Sequence, residues 1–327
     1  MNTIKNGTVV VKIPASTANL GPGFDALGMA LSLYSWLELS LAEQTEVELY
    51  GDNLAGLPRD SSNLVYKIAQ KVFAKAGLAE QPLKISMYSD APLTRGLGSS
   101  ASAIVGALVA ANEMIGNVFS QDELFRMATE LEGHPDNVGA SLFGGIIVSS
   151  WDGEQAPYVK ITPPQALESI VIIPDFQLST EKARHALPQQ YSKADVVFNI
   201  GRSSLLVAAL ASGSLSLIAT AMQDRVHQPY RAALIPGMSS ILEQASSYGA
   251  LGAALSGAGP TLIAFVDGCS DRKEELQQFM LETMRKEGIV AVTMELSPDH
   301  FGARVIYREE EAKQDLAFME IVKGEEL

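Results

Sequence analysis

The chain has 327 residues, 47% hydrophobic and 19% charged, with a formal net charge of −14. That length bounds about two domains, each able to bury a core, and the apolar content excludes a mainly disordered chain. The acidic balance excludes a broad nucleic-acid or anionic-membrane surface, although a small polyanion can still be met locally by backbone N–H groups at a helix start. Cys269 is the only cysteine, so one chain holds no disulfide framework and no cysteine zinc site. Residues 1–7 are polar and lack the apolar run of a secretory signal, which fits a cytoplasmic protein.

Residues 8–13 are β-branched and apolar and predict a strand. The turn-rich run Pro14-Ala15-Ser16-Thr17-Ala18-Asn19-Leu20-Gly21-Pro22-Gly23 predicts a loop. Strands follow at 31–41, 46–49 and 83–88, with a helix at 63–76 from the spacing of Leu64, Ile68, Val72 and Phe73. Residues 99–114 predict a buried helix, apolar on nearly all sides. A second helix is expected at 121–131, with Ser120 as cap and Glu123 in the capping-box position. A strand at 144–149 precedes the polar, proline-bearing stretch 151–164, which reads as a domain junction.

Beyond it, a strand is expected at 169–173 and helices at 195–211, 215–222 and 235–248. Strands at 250–255 and 261–266 flank a glycine turn, and a helix at 271–287 leads to strands at 290–296 and 303–307. This intermixing implies an α+β fold in two domains, residues 1–155 and 156–307. Residues 308–327 carry seven acids and three bases and read as a solvated acidic tail or a terminal helix. The uncharged stretches 96–112, 203–223 and 245–266 are interrupted by serine, glycine or proline, and none predicts a membrane span.

The most informative segment is Pro92-Leu93-Thr94-Arg95-Gly96-Leu97-Gly98-Ser99-Ser100-Ala101, with Ser102 next in line. Gly96 and Gly98 let the backbone curl, and Ser99 and Ser100 stand in the first turn of a helix, where N–H groups lack intrahelical partners and the dipole is positive. Together they predict an anion site. It is neither a Walker A loop, which needs Gly-Lys-Ser/Thr, nor a dinucleotide fingerprint, whose glycine spacing differs.

This ten-residue pattern resembles the phosphate-binding motif of the GHMP kinases. Two further segments resemble motifs of that family in the expected order: residues 12–25, ending Asn19-Leu20-Gly21-Pro22-Gly23-Phe24-Asp25, and Leu255-Ser256-Gly257-Ala258-Gly259-Pro260-Thr261. Within the family the chain is most similar to the homoserine kinases. The Ser-Thr-Ala-Asn-Leu-Gly-Pro-Gly-Phe-Asp run, the loop Glu132-Gly133-His134-Pro135-Asp136-Asn137, the segment Ser179-Thr180-Glu181-Lys182-Ala183-Arg184 and the segment His227-Gln228-Pro229-Tyr230-Arg231 carry that likeness.

The resemblance implies an N-terminal domain like ribosomal protein S5 domain 2, a ferredoxin-like C-terminal domain, and ATP bound between them with Mg²⁺. It implies L-homoserine as the second substrate and a homodimer, while the acidic charge and the interrupted apolar stretches predict no nucleic-acid or membrane partner. The implied substrate contacts are Asn19, Asp25, His134, Asn137, Thr180, Arg184, Arg231 and Gly257. Two arginines suit a carboxylate, while Asp25 and Asn19 suit an ammonium. The implied metal ligands are Ser100 and Glu132, with Glu130 as the alternative to Glu132. Asn63 is expected near the nucleotide base, and Asn137, His134 and Ser100 near the reacting groups. Asp136 stands where a base could be or orients the loop. Two other readings stay open: a GHMP kinase for another small alcohol, and a catalytically silent binding protein of this fold. His185, His227 and His300 read as structural or solvated, with no metal-binding spacing.

Overall fold

A computed structural model describes residues 3–309 and 316–324. Its strands are β1 (Val9–Ala18), β2 (Leu27–Leu41), β3 (Glu46–Tyr50), β4 (Leu83–Ser89), β5 (Ile146–Ser149), β6 (Tyr158–Ile161), β7 (Leu167–Pro174), β8 (Gly252–Leu255), β9 (Leu262–Asp267), β10 (Ala291–Leu296) and β11 (Arg304–Arg308). Its helices are α1 (Leu64–Lys75), α2 (Ser99–Met114), α3 (Gln121–Glu132), α4 (Asp136–Phe143), α5 (Thr180–His185), α6 (Lys193–Ser212), α7 (Ile218–Ala221), α8 (Gln228–Arg231), α9 (Met238–Gln244), α10 (Lys273–Lys286) and α11 (Phe318–Gly324).

The first sheet runs β11-β1-β2-β4-β3, and β5 pairs with both β2 and β6. Only the β3–β4 pair in it is parallel. Helix α2 lies across this sheet because it is apolar all round: Ala101, Val105 and Leu108 join Ile13, Leu37 and Phe73 in one core. The second sheet is antiparallel, β10-β7-β9-β8. Strand alternation divides β7 between two cores. Ile170 and Ile172 face Met238, Ile241 and Met280 of α9 and α10, whereas Val171 and Ile173 share a cluster with Met29 and Leu31 of the first sheet. Each such buried side chain contributes about 1.5–3 kcal/mol of transfer free energy, so the two sheets are joined by a common core.

The structure departs from the sequence reading at several places. The run 14–18, expected as loop, continues β1. A register shift between Pro14 and Ala15 takes up the missing proline donor, and pairing with β2 resumes through Ala18. The 155/156 division falls within the β5–β6 hairpin, so 158–161, inside the expected junction, extends the first sheet. Strand β11, within the stretch assigned to the second domain, returns to the first sheet beside β1. The expected helix 235–248 is shortened at its start, because Gly237 takes φ 84 and α9 begins only at Met238. The segment from Glu132 to Asn137, read as loop, runs into α4 from Asp136 onward.

Helix α6 has the length and apolar composition of a membrane-crossing segment, and most of it is not buried. Gly213 in the left-handed region ends it, and Leu206 and Leu210 pack into the core shared by the sheets. The expected tail resolves differently along its length. Residues 310–315 and 325–327 lie outside the described residues, while α11 docks Phe318, Ile321 and Val322 against Val10 and Trp36.

Candidate active site

The glycine loop is wedged between the end of β1 and the turn after β8. Gly96 has φ 83 and Gly98 φ 71, both left-handed. A Cβ on Gly98 would lie 2.2 Å from Ser16 Oγ, and one on Gly96 2.4 Å from Ser256 O. The loop is held by Ser16 N–H to Leu97 O (3.1 Å), Thr261 N–H to Arg95 O (3.1 Å) and Ser256 Oγ to Gly96 O (2.5 Å). Gly98 caps α2 without a side-chain acceptor, which leaves the first N–H groups of the helix open beside Ser99 and Ser100.

Two chambers meet at these serines. One is a cleft lined by Thr94, Gly96, Gly98, Ser99 and Ser100 together with Asn19, Asp25, Glu132, His134, Asp136, Asn137, Thr180, Arg184, Arg231 and Gly257. The other is an apolar chamber, where Leu93, Thr94, Ser99, Ser100 and Ser102 meet Leu37, Leu54, Leu57, Val65 and Met87. Within the 92–102 motif, Pro92, Arg95, Leu97 and Ala101 line neither chamber. Leu97 and Ala101 are fully buried in the cores, and Arg95 pairs with Asp175 at 3.1 Å. Ser102 turns its hydroxyl to Gly98 O at 3.1 Å. Asn63 lines the apolar chamber, yet its side chain caps α1 by accepting from Val65 N–H (2.9 Å) and donates to Pro58 O (2.8 Å).

Ser100 Oγ donates to Glu132 Oε2 at 2.9 Å, and Glu132, not Glu130, lines the cleft. A hydroxyl and a carboxylate beside an anion cradle form an oxygen donor set that fits a hard cation such as Mg²⁺, which takes few protein ligands and keeps waters. Ligand atoms of Asp25, His134 and Asp136 also lie within 4.8 Å of one another. There, however, both Asp25 oxygens accept from Arg184.

The opposite end of the cleft collects charge. Arg184 donates Nη1 to Asp25 Oδ2 (3.0 Å) and Nη2 to Asp25 Oδ1 (2.8 Å), a bidentate pair. The hydrogen bond to Asp25 raises the Arg184 pKa against the opposing effect of burial. Helix α5 presents Arg184 because Ser179 caps its start and Ala183 anchors it in the core. Asn19, with φ 71, accepts from Asp25 N–H through Oδ1 and donates Nδ2 to Gly257 O, both at 3.0 Å. Its amide therefore ties the first motif to the third.

Arg231 is almost wholly buried, with 2% of its surface exposed. It donates to Ala183 O (3.2 Å), Gly257 O (3.0 Å) and His227 Nδ1 (3.2 Å), and among the described residues it forms no ion pair with a carboxylate. Burial, and then the charge of Arg184, push its pKa down to about 10. Even so the guanidinium stays charged at neutral pH.

At the cleft's third side the α3–α4 turn carries His134, whose Nδ1 lies 2.7 Å from Asp136 Oδ1. The same oxygen accepts from Asn137 N–H at 2.7 Å. Burial works against charge on His134, but the Asp136 hydrogen bond and charge outweigh it and hold the imidazole above its ordinary value. Asn137 Oδ1 accepts from Ser16 Oγ at 3.0 Å, which leaves its amide hydrogens toward the cleft it lines.

All eight residues expected to contact the second substrate thus line one cleft. Sequence reasoning missed the apolar chamber, whose lining from β2, β4 and 54–58 is indistinguishable in sequence from ordinary core, and it missed Asp175 as the partner of Arg95.

The GHMP kinases N terminal domain family matches residues 63–145, and the GHMP kinases C terminal family matches residues 206–290. A homoserine kinase from Moorella thermoacetica is 44% identical over 297 residues, 91% of this chain and 99% of that protein. One from Deinococcus radiodurans is 45% identical over 90% of this chain and 96% of its own. The crystal structure of homoserine kinase from Cytophaga hutchinsonii superposes with a TM-score of 0.82 at 31% identity, covering 94% of this chain and 99% of that one. With three family motifs converging on one two-chambered site, the chain belongs to the GHMP kinase family, in its homoserine kinase branch.

Proposed function

We propose that the protein transfers the γ-phosphoryl group of ATP to the hydroxyl of L-homoserine, giving O-phospho-L-homoserine and ADP, a step of threonine biosynthesis. The observation that carries this reading is the pair of chambers joined at Ser99 and Ser100, one apolar and one lined by three carboxylates, Asp25, Glu132 and Asp136, and two arginines. The base of ATP occupies the apolar chamber, and its phosphates meet the N–H groups of the loop and of the first turn of α2. Ser100 and Glu132 would hold Mg²⁺, which would supply charge neutralisation at the phosphates. Arg184 and Arg231 take the amino-acid carboxylate, and Asp25, oriented through Asn19, takes its ammonium. Thr180 and Gly257 complete the wall around it. His134 and Asn137 hold the hydroxyl toward the phosphate.

Positioning and electrostatics carry most of the catalysis in such transfers, with little covalent work for the protein. Asp136 already accepts from His134 and Asn137 N–H, which favours an orienting role over that of a base. A homodimer and a cytoplasmic location belong to the same proposal.

The test is ADP release with L-homoserine against a panel of small alcohols, including mevalonate and galactose. Release stimulated by L-homoserine alone is expected. No stimulation by any alcohol would leave a silent binding protein, and stimulation by a different alcohol would reassign the substrate.

A further inference from the structure

Arg231 has an unusual setting for a substrate ligand: a buried guanidinium with no carboxylate of its own. Its direction is set by what surrounds it. His227 is completely buried and lies four residues earlier, so one helical turn brings the two side chains to the same face. Its Nε2 is 2.7 Å from Gly21 O, and its Nδ1 is 3.2 Å from Arg231 Nη1. A carbonyl can only accept and a guanidinium can only donate. The geometry therefore requires the neutral tautomer with its proton on Nε2, and burial pushes the His227 pKa down, toward that form. The backbone under the ring is fixed as well: Asp224 accepts from the N–H groups of Val226 (2.9 Å), His227 (2.9 Å) and Gln228 (2.7 Å). Asp224 Oδ2 also faces Nε2 at 3.7 Å, and the Phe24 ring packs on the imidazole at 5.2 Å and beneath Arg231 at 5.3 Å.

We propose that His227 is a positioning residue for the amino-acid carboxylate: its Nδ1 lone pair fixes one Arg231 donor and aims the remaining guanidinium at the cleft, while the Nε2 bond to Gly21 locks the ring. This rests on Arg231 receiving the substrate carboxylate. His227 itself touches no substrate. Without the Nδ1 acceptor, Arg231 swings within its pocket and repulsion from Arg184 is no longer countered by a fixed geometry. The effect falls on the amino acid and not on the nucleotide, because His227 lines neither the apolar chamber nor the phosphate loop.

Two amide variants separate the two ring nitrogens. Asn at 227 carries an oxygen near the Nδ1 position, and Gln carries its amide near Nε2. His227→Gln should raise KM for L-homoserine about tenfold, the scale of one lost hydrogen bond to a charged group. KM for ATP should be unchanged and melting close to wild type. His227→Asn should restore most of the homoserine KM. A folded His227→Gln enzyme with unchanged homoserine KM would overturn the proposal, as would equal rises in both KM values, since those mark a merely structural role. Wild-type turnover of L-homoserine is the control for the underlying reading: its absence overturns the substrate assignment, whereas failure confined to the variants overturns only the role of His227.

Discussion

The bidentate pair between Asp25 and Arg184 has a direct consequence for selectivity. The two groups make with each other the contacts that a zwitterion would make with both. An amino acid exchanges one pair for two, but a ligand bearing only a carboxylate frees Arg184 at the cost of stranding Asp25. Both side chains are about a third exposed, 33% for Asp25 and 38% for Arg184, so the penalty is well below that of a fully desolvated pair. Asp25→Asn should therefore lower kcat/KM for L-homoserine while raising that for 4-hydroxybutanoate relative to it by about tenfold or more. Parallel kinetics on the two alcohols check this; an equal fall for both would mean that Asp25 only supports the fold. His134 works by the same logic of neighbours, since burial alone would lower its pKa, and the Asp136 hydrogen bond and charge beneath it raise it above the ordinary value.

At the scale of elements, the site is made by the ends of secondary structures meeting in a confined space. β1 carries Ser16, Gly98 caps the start of α2, and the turn after β8 supplies Ser256 and Gly257, each bonded to the next. Gly98 is the tightest point. Gly98→Ala would put a side chain at φ 71, 2.2 Å from Ser16 Oγ and 3.1 Å from Asn137 Oδ1. The left-handed conformation alone costs about 1–2 kcal/mol, and relieving the clash moves both the anion cradle and a substrate contact. The expected outcome is a destabilised enzyme whose KM rises for ATP and homoserine together, read by thermal melting and by titration of each substrate. A normal ATP KM would show that the loop accommodates a methyl group and that the close approach has no bearing on phosphate binding.

For the whole molecule, the division into a first and a second sheet is bridged by one core and closed at the far end of the chain. β11 returns to pair with β1, and α11 covers the aromatic outer face of the first sheet around Trp36. Tyr50 lies 5.5 Å from Phe318, and Phe318 is only 5% exposed. Phe318→Ala should lower stability by about 3 kcal/mol and leave kcat and both KM values unchanged, since Phe318 lines neither chamber. Denaturant melting together with steady-state kinetics checks both halves. A loss of activity at full stability would tie α11 to the nucleotide side instead.

Local sequence determined the features whose physics is local. The capping box at Ser120, the period of α1, the all-round apolar α2 and the glycine–serine anion cradle were legible because each depends on residues a few positions apart. Joint occurrence in order of three motifs, far apart along the chain, carried the family and with it the eight cleft residues. Tertiary structure alone decided the rest. It continued β1 past Pro14 through a register shift, put 158–161 and 304–308 into the first sheet, and set Ser100 against Glu132 rather than Glu130. It also docked three apolar residues of an acidic tail onto Trp36. These outcomes depend on which surfaces meet, and pairings from as close as Ser149 with Tyr158 to as distant as Val9 with Arg308 are not written in the periodicity of either partner. The apolar chamber is the limiting case, since a Leu that lines a pocket and a Leu that fills a core are the same letter until packing leaves space beside one of them.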